Sequence, residues 1–166
     1  VSVGRWVPKK GLDTVLEAFH SLSVPARLTL VSDAPATCRS STVTIGFRPP
    51  STIPALLAEA DLFVLPCRVS DEGDRDGVPV ALLEAMATGI PVLTTAVSGI
   101  GEVVDDSVGW LVEPNDPVAV RRVMEEAYKK PEERLRRGRA GRRRILSRGY
   151  TVKGQVDGLL EGWGWM

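Results

Sequence analysis

The chain has 166 residues, of which 43% are hydrophobic and 25% charged, as is typical of one globular domain with a sizeable core. Its formal net charge is zero, but residues 1–128 carry 10 basic and 17 acidic side chains, whereas residues 129–166 carry 11 basic and 4 acidic ones. Two cysteines and one histidine leave little material for a disulfide framework, a zinc site or a Ser-His-Asp triad, and this cysteine usage favours a reducing compartment.

Short apolar runs alternate with helical patterns along the chain. Runs rich in Val, Leu and Ile predict strands at 1–4, 27–32, 42–46, 62–65, 91–95 and 109–112. Apolar residues at helical spacing predict helices at 12–19, 53–60, 78–88, 101–104, 117–130, 131–148 and 152–160. Asp116 followed by Pro117 is a typical helix start. The alternation predicts an α/β fold, a doubly wound parallel sheet covered by helices on both faces.

In such a sheet, ligands bind beyond the carboxyl ends of the strands. The loops predicted to line a site are therefore 4–11, 32–41, 46–51, 66–79 and 96–101.

A single domain is predicted over residues 1–166, with a helical tail from about residue 115. The chain begins inside its first predicted strand, without an initiator Met or a cationic leader, so we interpret it as a piece of a larger protein. Its most apolar window, 78–97, is long enough to cross a bilayer but contains two prolines, a glutamate and a glycine. These residues predict a buried helix, a tight turn and a buried strand instead.

Two carboxylates stand eight residues apart in the segment 76–84. Asp76 precedes a Gly-Val-Pro turn, and the apolar run 80–86 predicts a helix with Glu84 about two turns inside it. Because apolar residues surround Glu84 in the sequence, we expect the helix to be mostly buried and this carboxylate to need a partner. The two acids can grip two ends of one polyhydroxylated ligand. An acidic loop beside a helix with one solvated Glu is the alternative.

The first loop, 4–11, places two cations between a strand and a helix. Arg5 and Lys10 lie at the mouth of the predicted helix 12–19, where free backbone N–H groups attract anions. A guanidinium can bind two phosphate oxygens and an ammonium adds a point charge, a combination that suits a diphosphate. Two solvated surface cations are the alternative. The loop matches neither a dinucleotide-binding fingerprint nor a P-loop.

The acidic run 71–76 lacks the full spacing of a calcium loop, so no metal site is predicted. We expect this run to present Asp76, and the free N–H groups near Gly77 and Val78, to a polar ligand.

Several motifs, taken together and in this order, resemble one enzyme family. They are Gly4-Arg5 with Lys10-Gly11-Leu12-Asp13, then Ala60-Asp61-Leu62-Phe63-Val64-Leu65-Pro66, Asp74-Arg75-Asp76-Gly77-Val78-Pro79, Leu83-Glu84-Ala85-Met86-Ala87 and Gly89-Ile90-Pro91-Val92. They resemble the nucleotide-sugar-binding half of a GT-B retaining glycosyltransferase, family 4 (group 1) in particular, over Val1 to about Glu161. The resemblance implies a Rossmann-like sheet, the C-terminal half of the GT-B fold, with the N-terminal acceptor domain absent from this chain.

The resemblance also implies catalytic roles. Arg5 and Lys10 match the pair that holds the donor diphosphate and steadies the leaving group. Asp76 matches the acid that faces the transferred sugar, a position that is usually Glu, so its carboxylate is one methylene shorter here.

Donor-binding roles follow in the same way. Glu84 matches the acid that holds the ribose hydroxyls. Gly77 and Val78 match backbone positions beside the sugar and the diphosphate. The loop that usually binds the nucleobase through backbone groups is matched by Gly46, Phe47 and Arg48.

The implied activity is transfer of a sugar from a nucleoside-diphosphate sugar to an acceptor hydroxyl of a polysaccharide, glycolipid or small molecule, with retention at the anomeric carbon. No cofactor is implied beyond this donor substrate, and the fragment alone is expected to bind weakly and not to transfer sugar. The chain departs from the family pattern at 32–35 and at 98–102. Two alternatives therefore stay open: an epimerase-like enzyme of the same architecture, and a non-catalytic interaction or regulatory module with a decayed site.

The tail carries eight arginines between residues 134 and 148 without interleaved aromatic residues, so no nucleic-acid partner is predicted. We interpret it as a solvated helix that partly compensates the acidic body, with contact to an anionic membrane as the alternative. A cytoplasmic protein, peripheral at the inner membrane face in that alternative, fits these features. His20 is expected to be partly exposed on its helix, and Cys67 to be a packing thiol near the cleft.

Overall fold

A computed structural model of the chain describes residues 1–35 and 43–150. Within them, the strands are β1 (Ser2–Val3), β2 (Leu28–Val31), β3 (Val43–Ile45), β4 (Phe63–Leu65), β5 (Val92–Thr95) and β6 (Gly109–Val112). The helices are α1 (Leu12–His20), α2 (Ile53–Ala58), α3 (Val80–Thr88), α4 (Ile100–Val103), α5 (Pro117–Lys129) and α6 (Pro131–Ser147). The predicted order of elements is confirmed, and the bounds differ from prediction by one or two residues.

Some predictions lie outside the described residues. These are the helix at 152–160, Cys38 and the greater part of the loop 32–41.

The strands are parallel and form two three-stranded sheets, β1-β2-β3 and β4-β5-β6. The sheets meet at β1 and β4, where the Val1 amine donates to Leu62 O at 2.8 Å and Val64 N–H donates to Val1 O at 2.9 Å. Across this junction the strands follow the order 3-2-1-4-5-6, which is that of a doubly wound Rossmann-like fold. The predicted fold class is confirmed, and the order reverses between β1 and β4, where such sheets form a crevice.

Local signals in the sequence explain where the helices begin and end. Gly11 enters α1 in the left-handed conformation, and Gly89 ends α3 in the same way, with φ of 63° and 87°. The side chain of Asp116 accepts a hydrogen bond from Ala119 N–H at 2.8 Å, so the predicted cap of α5 is confirmed. These boundaries leave the loops after β1 and β4 to run side by side at one edge of the sheet.

The core lies between the sheet and its helices, with Leu30, Phe63 and Leu93 fully buried on the strands. Cys67 follows β4 and is also buried, and this burial raises the pKa of its thiol to about 11. A thiol of this kind stays protonated and packs as a small apolar group, as predicted. His20 is exposed at the end of α1.

Helix α6 packs on the domain more closely than the sequence predicts. A Cβ added at Gly138 would come within 2.1 Å of Gly89 O, so only a glycine lets the helix approach the end of α3. About one helical turn further on, a Cβ added at Gly141 would meet its nearest neighbours at 3.6 Å, which is ordinary van der Waals contact.

The interpretation of α6 as a solvated helix is wrong for one of its faces. Arg137 stacks on the Trp110 ring at 4.5 Å and bonds both Glu133 and the Gly109 carbonyl. Arg144 lies 2.9 Å from an Asp105 carboxylate oxygen. The other arginines of this face that bond back to the domain are Arg134, Arg136 and Arg148. We call this set of contacts the arginine seam.

Candidate functional site

Four loops meet beyond the carboxyl ends of the strands. Arg68 N–H donates to Lys9 O at 3.0 Å, which joins the loop after β4 to the loop after β1. Trp6 N–H donates to the Asp33 carboxylate, which joins the loop after β2 to the same cluster. A Cβ added at Gly99, on the loop after β5, would come within 3.3 Å of Val78 Cγ2, so Val78 lies beside that loop. The loops after β1, β4 and β5 and the first residues of the loop after β2 therefore line one crevice.

Gly11 permits this close approach of the first loop to the loop after β4. It adopts a φ of 63°, and a Cβ there would lie 2.1 Å from Pro66 O. Any side chain would both strain the backbone and strike this carbonyl. Glycine at this position therefore brings the neighbouring Lys10 against the residues that follow Pro66.

Lys10 and Asp76 form an ion pair in the crevice. The Lys10 Nζ lies 2.9 Å from Asp76 Oδ2, and their side chains are only 15% and 20% exposed. That carboxylate oxygen is buried, and no group in residues 1–35 and 43–150 donates a hydrogen bond to it. The oxygen is thus compensated in charge but retains the capacity to accept a hydrogen bond.

Lys9 provides a second cation to the same acids. Its Nζ lies 3.0 Å from Asp74 Oδ2 and 3.7 Å from Asp76 Oδ1. The hydrogen bond to Asp74 is the main cause of a raised pKa at Lys9, and it outweighs the cost of desolvation. Sequence reasoning did not single out Lys9 or Asp74. The adjacent lysines and the alternating acids of 71–76 were the available signals.

Arg5 is exposed at the start of the loop, beside Asp33. The N–H of Trp6 is the largest cause of the lowered pKa of the Asp33 carboxyl, and the Arg5 charge adds a smaller contribution. Arg5 also acts electrostatically on Lys9. Arg5 and Lys10 thus lie on one loop at the same edge of the sheet, as predicted.

Glu84 is exposed, so the prediction of a buried carboxylate there was wrong. It lies in the second turn of α3 on the same stripe as Val80, which is 69% exposed. Its apolar sequence neighbours Leu82, Ala85 and Met86 point to the opposite, buried side. The Glu84 carboxylate therefore has access to solvent and to a ligand without a desolvation cost.

The remaining predicted residues lie on two loops. Gly77 is exposed and Val78 half-buried, directly before the first turn of α3. The loop Gly46, Phe47 and Arg48 follows β3, two strands from β1, which corresponds to about 10 Å at ordinary strand spacing. Phe47 is 78% exposed, and the Arg48 guanidinium donates to Phe47 O at 3.2 Å. This loop stands at the outer end of the crevice.

Arg68 links the crevice loops to the elements next to them. The Arg68 guanidinium donates to Asp13 and to Asn115, each at 2.8 Å, and so ties the loop after β4 to the start of α1 and to the residues before α5. Its side chain is 18% exposed. Sequence reasoning missed this residue, because its partners lie 55 and 47 positions away.

A cavity of about 980 Å³ opens at the opposite edge of the sheet, around Val1, Leu28, Leu62 and Tyr128. It is remote from the carboxyl ends of the strands and does not contain any predicted site residue.

Within residues 1–35 and 43–150, no three His, Cys, Asp or Glu side chains are grouped so as to hold a metal ion. No helix described there has the length and hydropathy needed to span a membrane.

A Rossmann-like domain with this crevice is one half of the GT-B architecture. The sequence profile of the family "Glycosyl transferases group 1" matches residues 1–144, and the chain belongs to this family. The resemblance found in the sequence is thereby confirmed.

Two curated relatives illustrate the match. WcaL of Escherichia coli, a glycosyltransferase named for colanic acid biosynthesis, is 40% identical over 135 residues, which cover 72% of this chain and 33% of that protein. A GDP-mannose-dependent alpha-(1-6)-phosphatidylinositol monomannoside mannosyltransferase of Mycolicibacterium smegmatis is 31% identical over 158 residues, which cover 86% and 41%. The chain thus spans between a third and two fifths of the length of these relatives.

A solved structure shows the same fold. HepE of Anabaena, crystallised with UDP-glucose, superimposes with a TM-score of 0.82 at 19% identity and covers 99% of this chain and 49% of that one.

Proposed function

We propose that this chain is the donor-binding half of a retaining glycosyltransferase, which holds a nucleoside-diphosphate sugar in the crevice between β1 and β4. The observation that carries the proposal is the ion pair of Lys10 with Asp76, in which a cation and a carboxylate lie 2.9 Å apart at the carboxyl ends of the strands. One group suits a phosphate and the other a sugar hydroxyl.

In this proposal, Arg5 and Lys10 stabilise the negative charge that grows on the leaving diphosphate. Both are on the loop that Gly11 brings against Pro66, so their backbone positions are fixed before the donor arrives. Preorganised charges of this kind contribute more to the transition state than charges that must first be assembled.

The Asp76 carboxylate accepts a hydrogen bond from a hydroxyl of the transferred sugar. Glu84 holds the ribose from the exposed face of α3, and Gly77 and Val78 supply backbone groups between the two ends of the donor. The nucleobase lies at the loop Gly46, Phe47 and Arg48, where the exposed Phe47 ring offers a stacking surface. The scheme requires neither a metal nor a cofactor.

We further propose that transfer proceeds with retention, and that the acceptor is bound by a second domain. The chain covers 33% of WcaL. In a protein of that length, the residues outside the aligned part are enough to form a second domain with the acceptor site. Closure of two domains would exclude water from the donor, so this chain alone is expected to bind donor but not to transfer sugar.

Calorimetry of the 166-residue chain with UDP, GDP and ADP tests the proposal. We expect one preferred diphosphate with a dissociation constant between micromolar and millimolar, which corresponds to roughly −8 to −4 kcal/mol. Lys10→Ala and Glu84→Ala should each weaken it by about tenfold, the loss of one charge-assisted interaction.

Lys130→Ala is the matched control for lysine, because that side chain is 61% exposed in an ion pair on α5. Glu132→Ala at the exposed start of α6 is the control for Glu84. No heat with any of the three diphosphates, or equal binding by wild type and both crevice variants, would refute the proposal in favour of a non-catalytic module.

We also propose a cytoplasmic protein that contacts the inner membrane face through the outer stripe of α6. Arg139 and Arg142 lie there between Leu135 and Leu146, which are 58% and 62% exposed, and Arg143 flanks them. Cations interleaved with exposed apolar side chains suit an anionic lipid surface. The chain should sediment with vesicles that contain phosphatidylglycerol but not with pure phosphatidylcholine. Arg139→Glu with Arg142→Glu should abolish this, and Lys130→Glu should not.

A further inference from the structure

Lys9 has no role in the scheme above, although it is a third cation of the crevice beside Arg5 and Lys10. Resting on the proposed function, we propose that Lys9 is a positioning residue: it tethers the acidic loop 71–76 and keeps the Asp76 carboxylate directed at the sugar while Lys10 binds the diphosphate.

The Asp76 carboxylate is held from two sides by different cations. Lys10 Nζ approaches Oδ2 at 2.9 Å, and Lys9 Nζ approaches Oδ1 at 3.7 Å. Lys9 is in turn bonded to both carboxylate oxygens of Asp74, at 3.0 and 3.1 Å. Lys9 thus has its direct contact with Asp74 and acts on Asp76 through charge, whereas Lys10 contacts Asp76 directly.

Both ends of the Lys9–Asp74 tether are anchored by backbone. The Lys9 carbonyl accepts from Arg68 N–H at 3.0 Å, and Lys9 sits in the short 3-10 turn Pro8–Lys10. On the other side, Ser70 N–H donates to Asp74 O at 2.9 Å, and Asp74 N–H donates to the Ser70 hydroxyl at 3.0 Å. The ion pair therefore joins two turns that are each internally bonded, so it fixes the distance between the loops.

Donor binding makes a second cation necessary. A diphosphate at Lys10 competes with Asp76 for the same ammonium and repels the carboxylate. The Lys9 charge opposes this repulsion, and its bond to Asp74 prevents the acidic loop from moving away. The Lys9 charge matters more with Asp76 than with a glutamate at the same position. An aspartate side chain is shorter by one C–C bond of about 1.5 Å, so its carboxylate reaches less far towards the sugar.

Lys9→Met tests the tether, because it keeps the length of the side chain and removes the charge. UDP, GDP, UDP-glucose and GDP-mannose serve as calorimetric probes of the 166-residue chain. We expect wild type to bind the sugar-bearing form of its preferred nucleotide more tightly than the diphosphate alone. Lys9→Met should weaken the sugar-bearing form by about fivefold and leave the diphosphate within about twofold, because only the Asp76 contact is misplaced.

Lys9→Arg should recover most of the affinity for the sugar-bearing nucleotide, since it returns a cation to the same place. Asp74→Asn should lose as much of this affinity as Lys9→Met does. Combining Lys9→Met with Asp74→Asn should add little, because the two side chains act through one bond. A merely structural residue would reduce the affinity for both forms alike, so equal losses would overturn the proposal.

Hydrogen exchange gives a readout that does not depend on any ligand. The amides of Ser70, Gly73 and Asp74 are bonded within the turn that Lys9 holds. Lys9→Met should speed their exchange and leave the amides of β4 and β5 unchanged, with Lys130→Met as the control lysine. Unchanged exchange in these three amides overturns the tether. If wild type binds none of the four probes, the proposed function fails, whereas the exchange result still decides whether Lys9 holds the loop.

Discussion

Two groups of close ion pairs in residues 1–35 and 43–150, the arginine seam and the crevice, differ in how completely their polar atoms are bonded. In the arginine seam, Glu133 accepts from both Arg136 and Arg137 at 2.7 Å, and Arg144 bonds a carboxylate, a carbonyl and a hydroxyl. In the crevice, Lys10 and Asp76 are equally close, yet a buried oxygen of that pair accepts no hydrogen bond.

We interpret this difference as one between charges that hold the fold together and charges that, in the proposed function, receive a ligand. A fully bonded pair has nothing left to offer an incoming molecule, whereas a pair with spare acceptor capacity does. Counting ion pairs would treat the two groups alike. Within the described residues, Ser2 Oγ, Trp110 Nε1 and Arg121 Nε are also buried without a hydrogen bond. The crevice is the candidate site because the Asp76 oxygen lies beside Lys10 at the carboxyl ends of the strands.

The largest expected loss of stability comes from a substitution at the close backbone contact of α6. Gly138→Ala would force α6 away from Gly89 O and should lower the free energy of unfolding by about 1–3 kcal/mol, the usual cost of overpacking. Urea denaturation of the purified chain measures it. Gly141→Ala on the same helix has room for its methyl group and should raise stability by up to about 1 kcal/mol through helix propensity. Equal effects at the two glycines would contradict the close approach.

A smaller effect breaks the seam at a side chain. Arg137→Met removes the guanidinium that stacks on Trp110 and bonds Glu133, and should destabilise the chain by about 1–2 kcal/mol. Arg137→Lys keeps the charge but not the planar group, so it should recover less than half of the loss. Arg139→Met on the outer stripe is the control. Full recovery by lysine would mean that charge alone matters at this position.

Salt sharpens the comparison at the crevice. Arg5 is exposed, so raising the salt concentration from 0.05 to 0.5 M should weaken diphosphate binding about threefold by screening. Because the seam is bonded at short range, its contribution to stability should change little over the same interval. Calorimetry and urea denaturation in paired buffers measure the two. If added salt lowered stability more than diphosphate affinity, the assignment of the crevice to ligand binding and of the seam to stability would be wrong.

Acid, unlike added salt, should reduce the contribution of the arginine seam to stability. Hydrogen bonds from Arg136 and then Arg137 lower the pKa of Glu133 to about 2, and those from Ser107 and then Arg144 lower the pKa of Asp105 to about 2. Carboxyls with a depressed folded-state pKa stabilise the fold fully above their ordinary pKa, near 4, and lose this contribution as the pH falls towards 2. Urea midpoints should therefore drop over that window, and Glu133→Gln combined with Asp105→Asn should flatten the drop. An unchanged slope would show that other carboxyls dominate.

Most of the fold could be predicted from the sequence because each element carries its own signal. The strands are short apolar runs, the cap at Asp116 is local, and Gly11 and Gly89 stand where chain direction changes. Such signals act over a few residues, so a single sequence contains them.

The site could be predicted only in part, for two physical reasons. Glu84 was expected to be buried because apolar residues adjoin it in the sequence, but adjacent positions on a helix point in different directions. The stripe at spacing four, which it shares with the exposed Val80, was the informative pattern. Lys9 was missed because its partner Asp74 is 65 residues away, and no local pattern encodes that pairing.

The bottom of the crevice is built from main-chain atoms. Pro66 O sits against Gly11, and Lys9 O accepts from Arg68 N–H, so these contacts depend on one glycine and otherwise on no particular side chain. Residues on the rim can therefore be exchanged in evolution, or in the laboratory, without shifting the platform beneath them. If the proposed function holds, a scaffold of this kind allows related chains to change the sugar they bind while the main-chain geometry stays the same.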